Sequence, residues 1–209
     1  KNYFYSDRFY KNLIKKKKDP RIIKEYKKLL KYKKMIKFVY QNVPKGTGDA
    51  VLKTKRFITD KYFLMLLPDD LIIKKNCSKS MINVHQKYKS SVMASMQVNK
   101  STVSRWGIYN LSKRLSKSDY LISDVVEKPS IKDAPSNKAV IGRYILPKTI
   151  FKKLKNQNPG NGGEIHITDA IQSLIKDNEK FIAHNFSGKY LDCGTMNGYI
   201  NSGKKISNL

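Results

Sequence analysis

YFLMLLPDD, residues 62–70, runs apolar without alternation and then closes on a proline and two carboxylates. A strand with one wet face alternates polar and apolar side chains, so an unbroken run of this length fits a strand buried on both faces. Similar runs recur on either side of it: IKFVYQ (36–41), SVMASMQV (91–98), YLISDVVEKP (120–129), AVIGRYIL (139–146) and KFIAHNF (180–186). The segments between them have helical period, as in Met81, Val84, His85 and Tyr88. This alternation predicts an α/β fold, a Rossmann-like, mixed and mostly parallel sheet with helices on both faces. Asp69 and Asp70 then fall just past a buried strand, at the carboxyl edge where open α/β sheets hold their ligands.

Upstream of the first run, Asp19 and Pro20 read as an N-cap and first helical residue, followed at helical spacing by Ile22, Ile23, Tyr26, Leu29 and Leu30. Lys24, Lys27, Lys28 and Lys31 occupy the opposite face, which is expected to be solvated. Downstream, NQNPGNGG (156–163) reads as a turn-rich loop, and Thr168 as the cap of a helix running through Leu174.

With 209 residues, 40% of them hydrophobic, the chain is long enough to bury a sizeable core. It has 43 Lys and Arg against 16 Asp and Glu, a formal charge of +27, and residues 1–40 alone hold 15 of the bases and three of the acids. Such an excess raises nucleic acid as a partner. The bases are mostly Lys dispersed among Asn, Ile and Tyr, without an RNP, zinc-finger or homeodomain pattern, so solvent-facing surface is the expectation. No run of about 18 apolar residues crosses a bilayer, and Lys1–Phe4 do not begin a secretory signal, which points to a cytoplasmic protein without a membrane partner. Cys77 and Cys193 are expected as reduced thiols. His85, His166 and His184 lack metal-ligand spacing, and neither cysteine nor any serine is expected as a nucleophile.

A lone DD suits Mg²⁺, which is usually held by one or two carboxylates plus substrate phosphates, but it is as readily a turn. Its company is more telling. In chain order it stands among QNVPKGTGDAV (41–51), SRWGIY (104–109), VVEKP (125–129), PSNKAVIGRYIL (135–146), GGEIHITDAI (162–171) and YLDCGTMNGY (190–199). This set resembles bacterial UTP:glucose-1-phosphate uridylyltransferases, nucleotidyltransferases of the nucleotide-diphospho-sugar transferase fold, and the resemblance runs over nearly the whole chain.

The resemblance assigns tasks that the side-chain chemistry fits. Gln41 pairs with the uracil edge, since one amide offers both a donor and an acceptor. Gly46 lets the backbone approach the base. The flanking Thr47 and Asp49 depart from the family's usual Leu and His. Asp69 and Asp192 share one Mg²⁺ from distant points of the chain and, with Lys128, form the catalytic set. Glu127 accepts hydrogen bonds from glucose hydroxyls, Lys128 meets the sugar phosphate, and Gly107 and Val140 complete the sugar pocket through their backbone. Glu164 and Thr168 are expected at the pocket wall. The implied ligands are UTP, glucose 1-phosphate and UDP-glucose, and the implied assembly is a homo-oligomer.

The family begins with a strand and a glycine-rich loop containing GTR that cradles the triphosphate, whereas the first glycine here is Gly46. The expectation is therefore a single domain over residues 1–209 lacking that strand and loop, and inactive by itself. Two other readings stay open: a non-catalytic paralogue that binds UDP-sugars, and a basic nucleic-acid-binding protein.

Overall fold

The computed structural model describes residues 8–17 and 19–208, which divide into two compact units, Lys1–Asn42 and Val43–Leu209. In the first unit, helices α1 (Arg8–Lys17) and α2 (Pro20–Lys33) carry a stacked pair of rings, Tyr10 on Tyr26, with centroids 5.6 Å apart. Asp19 caps α2 by accepting a bond from the Arg21 amide at 2.8 Å, and Pro20 opens the helix. Lys24, Lys27, Lys28 and Lys31 are exposed, whereas Ile22, Ile23, Tyr26, Leu29 and Leu30 are partly buried. The run at 36–41 forms no strand. An apolar run reports burial; a ladder also needs a neighbouring strand in register, which composition alone does not specify.

The second unit opens with α3 (Thr47–Lys53) and continues through β1 (Tyr62–Leu66), β2 (Asp70–Ile73), α4 (Cys77–Tyr88), β3 (Ser91–Gln97), β4 (Gly107–Arg114), β5 (Asp119–Glu127) and β6 (Lys138–Pro147). Helices α5 (Ile150–Lys155) and α6 (Ile167–Lys176), strands β7 (Phe181–Asn185) and β8 (Lys189–Asp192), and α7 (Met196–Ser207) complete it. Six strands form one sheet in the order β1-β6-β3-β7-β5-β4, and β2 pairs with β8 in a separate ribbon. The main sheet is mixed, as expected, but its balance differs from the expectation: β3–β7 is parallel, and the other described pairings are antiparallel. Unbroken apolar runs report two covered faces, and an antiparallel sheet clothed on both sides produces them as readily.

Both faces are covered. On one, Met93, Tyr144, Phe181 and Ala183 pack with Val51 of α3, Phe151 and Leu154 of α5, and Ile167, Ala170, Ile171 and Leu174 of α6. On the other, Val92, Ala94, Ile141, Ile145 and Ile182 pack with Cys77, Met81 and Val84 of α4. Neighbours such as Val92 and Met93 thus enter opposite cores, the period-two signature of a strand. Buried His184 helps fix α4: its Nδ1 donates to Asp119 Oδ1 at 2.7 Å, and its Nε2 is hydrogen-bonded with Ser80 Oγ at 2.5 Å. His85 is likewise satisfied by the Ser90 carbonyl at 2.7 Å. Among the described residues no helix is long and apolar enough to cross a membrane.

Candidate active site

The β2–β8 ribbon places two acids from distant points of the chain side by side. Asp70 opens β2, Asp192 closes β8, and the two are paired in register. Asp69, in the turn before β2, is fixed by its carbonyl, which accepts from the Cys193 amide at 2.8 Å. Its carboxylate and that of Asp192 turn toward the same space above Gly194. A Cβ on Gly194 would stand 2.8 Å from Asp69 Oδ2 and 3.4 Å from Asp192 Oδ1. The Gly194 amide donates to Asp192 Oδ1 at 2.9 Å, and Arg105 Nη2 donates to Asp192 Oδ2 at 3.3 Å.

The two members of the DD pair differ in kind. Asp70 is committed to the scaffold: Oδ2 accepts from the Gly142 amide at 2.6 Å and Oδ1 from the Tyr190 hydroxyl. Burial pushes the Asp70 carboxyl above its usual range, against the lowering effect of these two bonds. Burial also raises the Tyr190 phenol, helped by its bond to Asp70 and by the charges of Asp70, Asp192 and Asp69. Arg143 braces the turn from below, donating through Nη1 to the carbonyls of Leu67 at 2.8 Å and Gly142 at 2.9 Å.

A second cluster forms where β4 and β5 begin and end. Gly107 pairs with Glu127, and a Cβ on Gly107 would meet Val140 Cγ2 at 3.1 Å and Glu127 Oε2 at 3.2 Å. These three expected sugar-site residues therefore share one place. Thr168 Oγ1 donates to Glu127 Oε2 at 3.1 Å. Thr168 does not cap α6 as its sequence context suggested; the N-cap is His166, two residues earlier, and the Thr168 hydroxyl holds the Glu127 carboxylate instead. Lys128 takes a left-handed backbone, φ 45°, with its amide bonded to the Trp106 carbonyl at 3.0 Å. Glu127, Lys128, Gly162, Glu164 and His166 line a cavity of about 160 Å³.

Gly46 caps α3 with φ 100°, and a Cβ there would clash with Ile165 O at 2.7 Å. Lys45 and Gly48 bond to Ile165 through their carbonyl and amide, joining the Gly46 turn to the strand of residues that carries Glu164 and His166. Gln41 lies in the first unit, in the stretch after α2. Thr168 is expected at the pocket wall, whereas Arg105 and His166 are site neighbours to which the sequence reading assigns no role. Their only signal is adjacency to the RWG and TDAI motifs.

The family model described as Nucleotidyl transferase matches residues 5–208. The chain belongs to the nucleotidyl transferase family. It is 39% identical over 166 residues to a UTP--glucose-1-phosphate uridylyltransferase of Pseudomonas aeruginosa, covering 78% of this chain and 59% of that protein. It thus spans less than two thirds of that relative's length. A solved UDP-glucose pyrophosphorylase complexed with UDP-glucose superposes with a TM-score of 0.78 at 39% identity, over 82% of this chain and 66% of that one. An apo UDP-glucose pyrophosphorylase superposes with a TM-score of 0.85 at 34% identity, over 99% and 76%. The nucleotidyltransferase fold expected from the sequence is thereby shown.

Proposed function

We propose that this chain carries the sugar-binding and acid-pair part of a UTP:glucose-1-phosphate uridylyltransferase, which forms UDP-glucose and pyrophosphate. The observation that carries this reading is the convergence of Asp69 and Asp192 above Gly194. Two hard oxygen donors facing one space, with the rest of the shell left to substrate phosphates, are the donor set Mg²⁺ takes. Asp69 and Asp192 would hold the ion, which supplies charge neutralisation on the phosphates during in-line displacement at the nucleotide α-phosphate.

The chain's own residues do the positioning. Glu127, oriented by the Thr168 hydroxyl, accepts hydrogen bonds from glucose hydroxyls, and Gly107 keeps that side of the pocket open for the sugar. Lys128, whose turn is pinned to the Trp106 carbonyl, offers its ammonium to the phosphate of glucose 1-phosphate. Gly46 supplies close backbone approach for the uracil. Holding the reactants in line accounts for most of the catalysis expected of such a site, since the protein has little covalent work to do. A cytoplasmic homo-oligomer completes the reading.

Calorimetric titration of UDP-glucose with Mg²⁺, paired with pyrophosphate release from UTP and glucose 1-phosphate, tests it. Glu127→Ala is expected to weaken UDP-glucose about tenfold or more, the loss of a charge-assisted hydrogen bond. Asp192→Asn should abolish the Mg²⁺ dependence. A wild-type chain that neither binds the sugar nucleotide nor turns over would sink the proposal.

A further inference from the structure

Arg105 lies just before the Trp106–Gly107 edge of the sugar cluster, yet its recorded bond among the described residues reaches away from it, to Asp192 Oδ2. The two oxygens of Asp192 have different duties. Oδ1 is held by the Gly194 amide on the side facing Asp69, and Oδ2 is held by the guanidinium. The pair is not buried: the side chains of Arg105 and Asp192 are 58% and 29% exposed. A guanidinium has five donors in a planar fork suited to phosphate, and here it also lies over the Trp106 ring, 5.8 Å from the centroid. Its carrier loop is tied to the sugar side, because the Trp106 carbonyl accepts from the Lys128 amide at 3.0 Å. Arg105 and Lys128 thus stand on neighbouring backbone that one hydrogen bond joins beside Gly107 and Glu127.

Resting on the reading above, we infer that Arg105 is an exchangeable counter-charge. It neutralises Asp192 while the acid pair stands bare, and it moves to the phosphate of the sugar ligand once Asp192 is engaged as a metal ligand. The bare state needs such a partner, since Asp69, Asp70 and Asp192 crowd their negative charges at the end of one ribbon. An exposed pair costs little to break, so Arg105 can leave Asp192 when a doubly charged ion competes for it. Five donors offered to phosphate oxygens then give more than the single bond lost.

This arrangement has an opposite-sign signature. Arg105→Met removes a competitor for Asp192, so Mn²⁺, titrated by electron paramagnetic resonance without nucleotide, should bind about two- to fivefold more tightly, the scale of an exposed ion pair. The same variant should bind glucose 1-phosphate about tenfold more weakly by calorimetry at saturating Mn²⁺, as a charge-assisted phosphate contact is lost. Arg105→Lys, which keeps the charge but not the fork, should leave Mn²⁺ affinity near that of the wild type and fall between on glucose 1-phosphate. A residue that only supports the loop would weaken both ligands together. That result, or no change in either affinity, overturns the inference while leaving the acid pair intact. Wild-type Mn²⁺ binding that is absent, or indifferent to Asp192→Asn, overturns the metal-site reading itself and the inference with it.

Discussion

A methyl group on Gly194 would lie 2.8 Å from Asp69 Oδ2, inside the contact distance of carbon and oxygen, and 3.4 Å from Asp192 Oδ1. Gly194 lies outside the left-handed region, so alanine meets no backbone penalty there and its whole effect falls on the acids. Gly194→Ala is expected to lower Mn²⁺ affinity about 10- to 100-fold, the usual consequence of displacing metal ligands through their surroundings, with the melting temperature little changed. Unaltered Mn²⁺ binding would show that the carboxylates do not act from their present positions. At this scale the sequence was only half legible. The residues alone flagged Asp69 and Asp70 together and only the resemblance singled out Asp69; the structure commits Asp70 to the scaffold through bonds from Gly142 and Tyr190, 72 and 120 residues away. No local pattern encodes which of two adjacent carboxylates a distant amide will reach.

Among the elements, α6 links the hydrophobic core to the Gly107–Glu127 cluster. Its buried stripe of Ile167, Ala170, Ile171 and Leu174 packs on the sheet, and Thr168 on the same helix reaches Glu127. Ile171 is fully buried, so Ile171→Ala should cost about 2–5 kcal/mol in urea unfolding, from lost burial and the cavity left behind. A cost below about 1 kcal/mol would mean that α6 is not a core helix. The elements read from the sequence are those whose apolar period or cap is strong: β1, β3, β5, β6, β7, and helices α2, α4 and α6. The strands it missed, β2, β4 and β8, are short or polar, as in GIYNLSKR of β4 and KYLD of β8, and owe their strand form to neighbours. Since β2 and β8 present the acid pair, the acid residues were visible in the motifs while the ribbon that joins them was not. The antiparallel bias escaped for a related reason: strand direction is set by connections, and each strand's side chains record only what covers it.

For the molecule as a whole, two charge effects oppose each other at alkaline pH. Raising pH toward the isoelectric point near 10.0 discharges lysines and relieves the self-repulsion of a chain at +27. Against this, burial lifts the Cys77 thiol from 9.0 to about 11 and raises the Tyr109 and Tyr144 phenols, so the folded chain keeps protons that the unfolded one releases. The thiol's contribution is intact below pH 9 and is lost as pH climbs through about 11. Comparing wild type with Cys77→Ala cancels the lysine effect: unfolding free energy should fall more steeply for wild type between pH 9 and 11. Parallel curves would mean that the thiol is not shielded. The strand order carries a further consequence, for biosynthesis. Strand β7 follows β3 and β5 in the chain, yet it inserts between them. A nascent chain thus holds two open strand edges at the centre of its sheet until β7 is translated. Those edges are templates for intermolecular pairing, so yield in a cell depends on how well they are shielded during the wait.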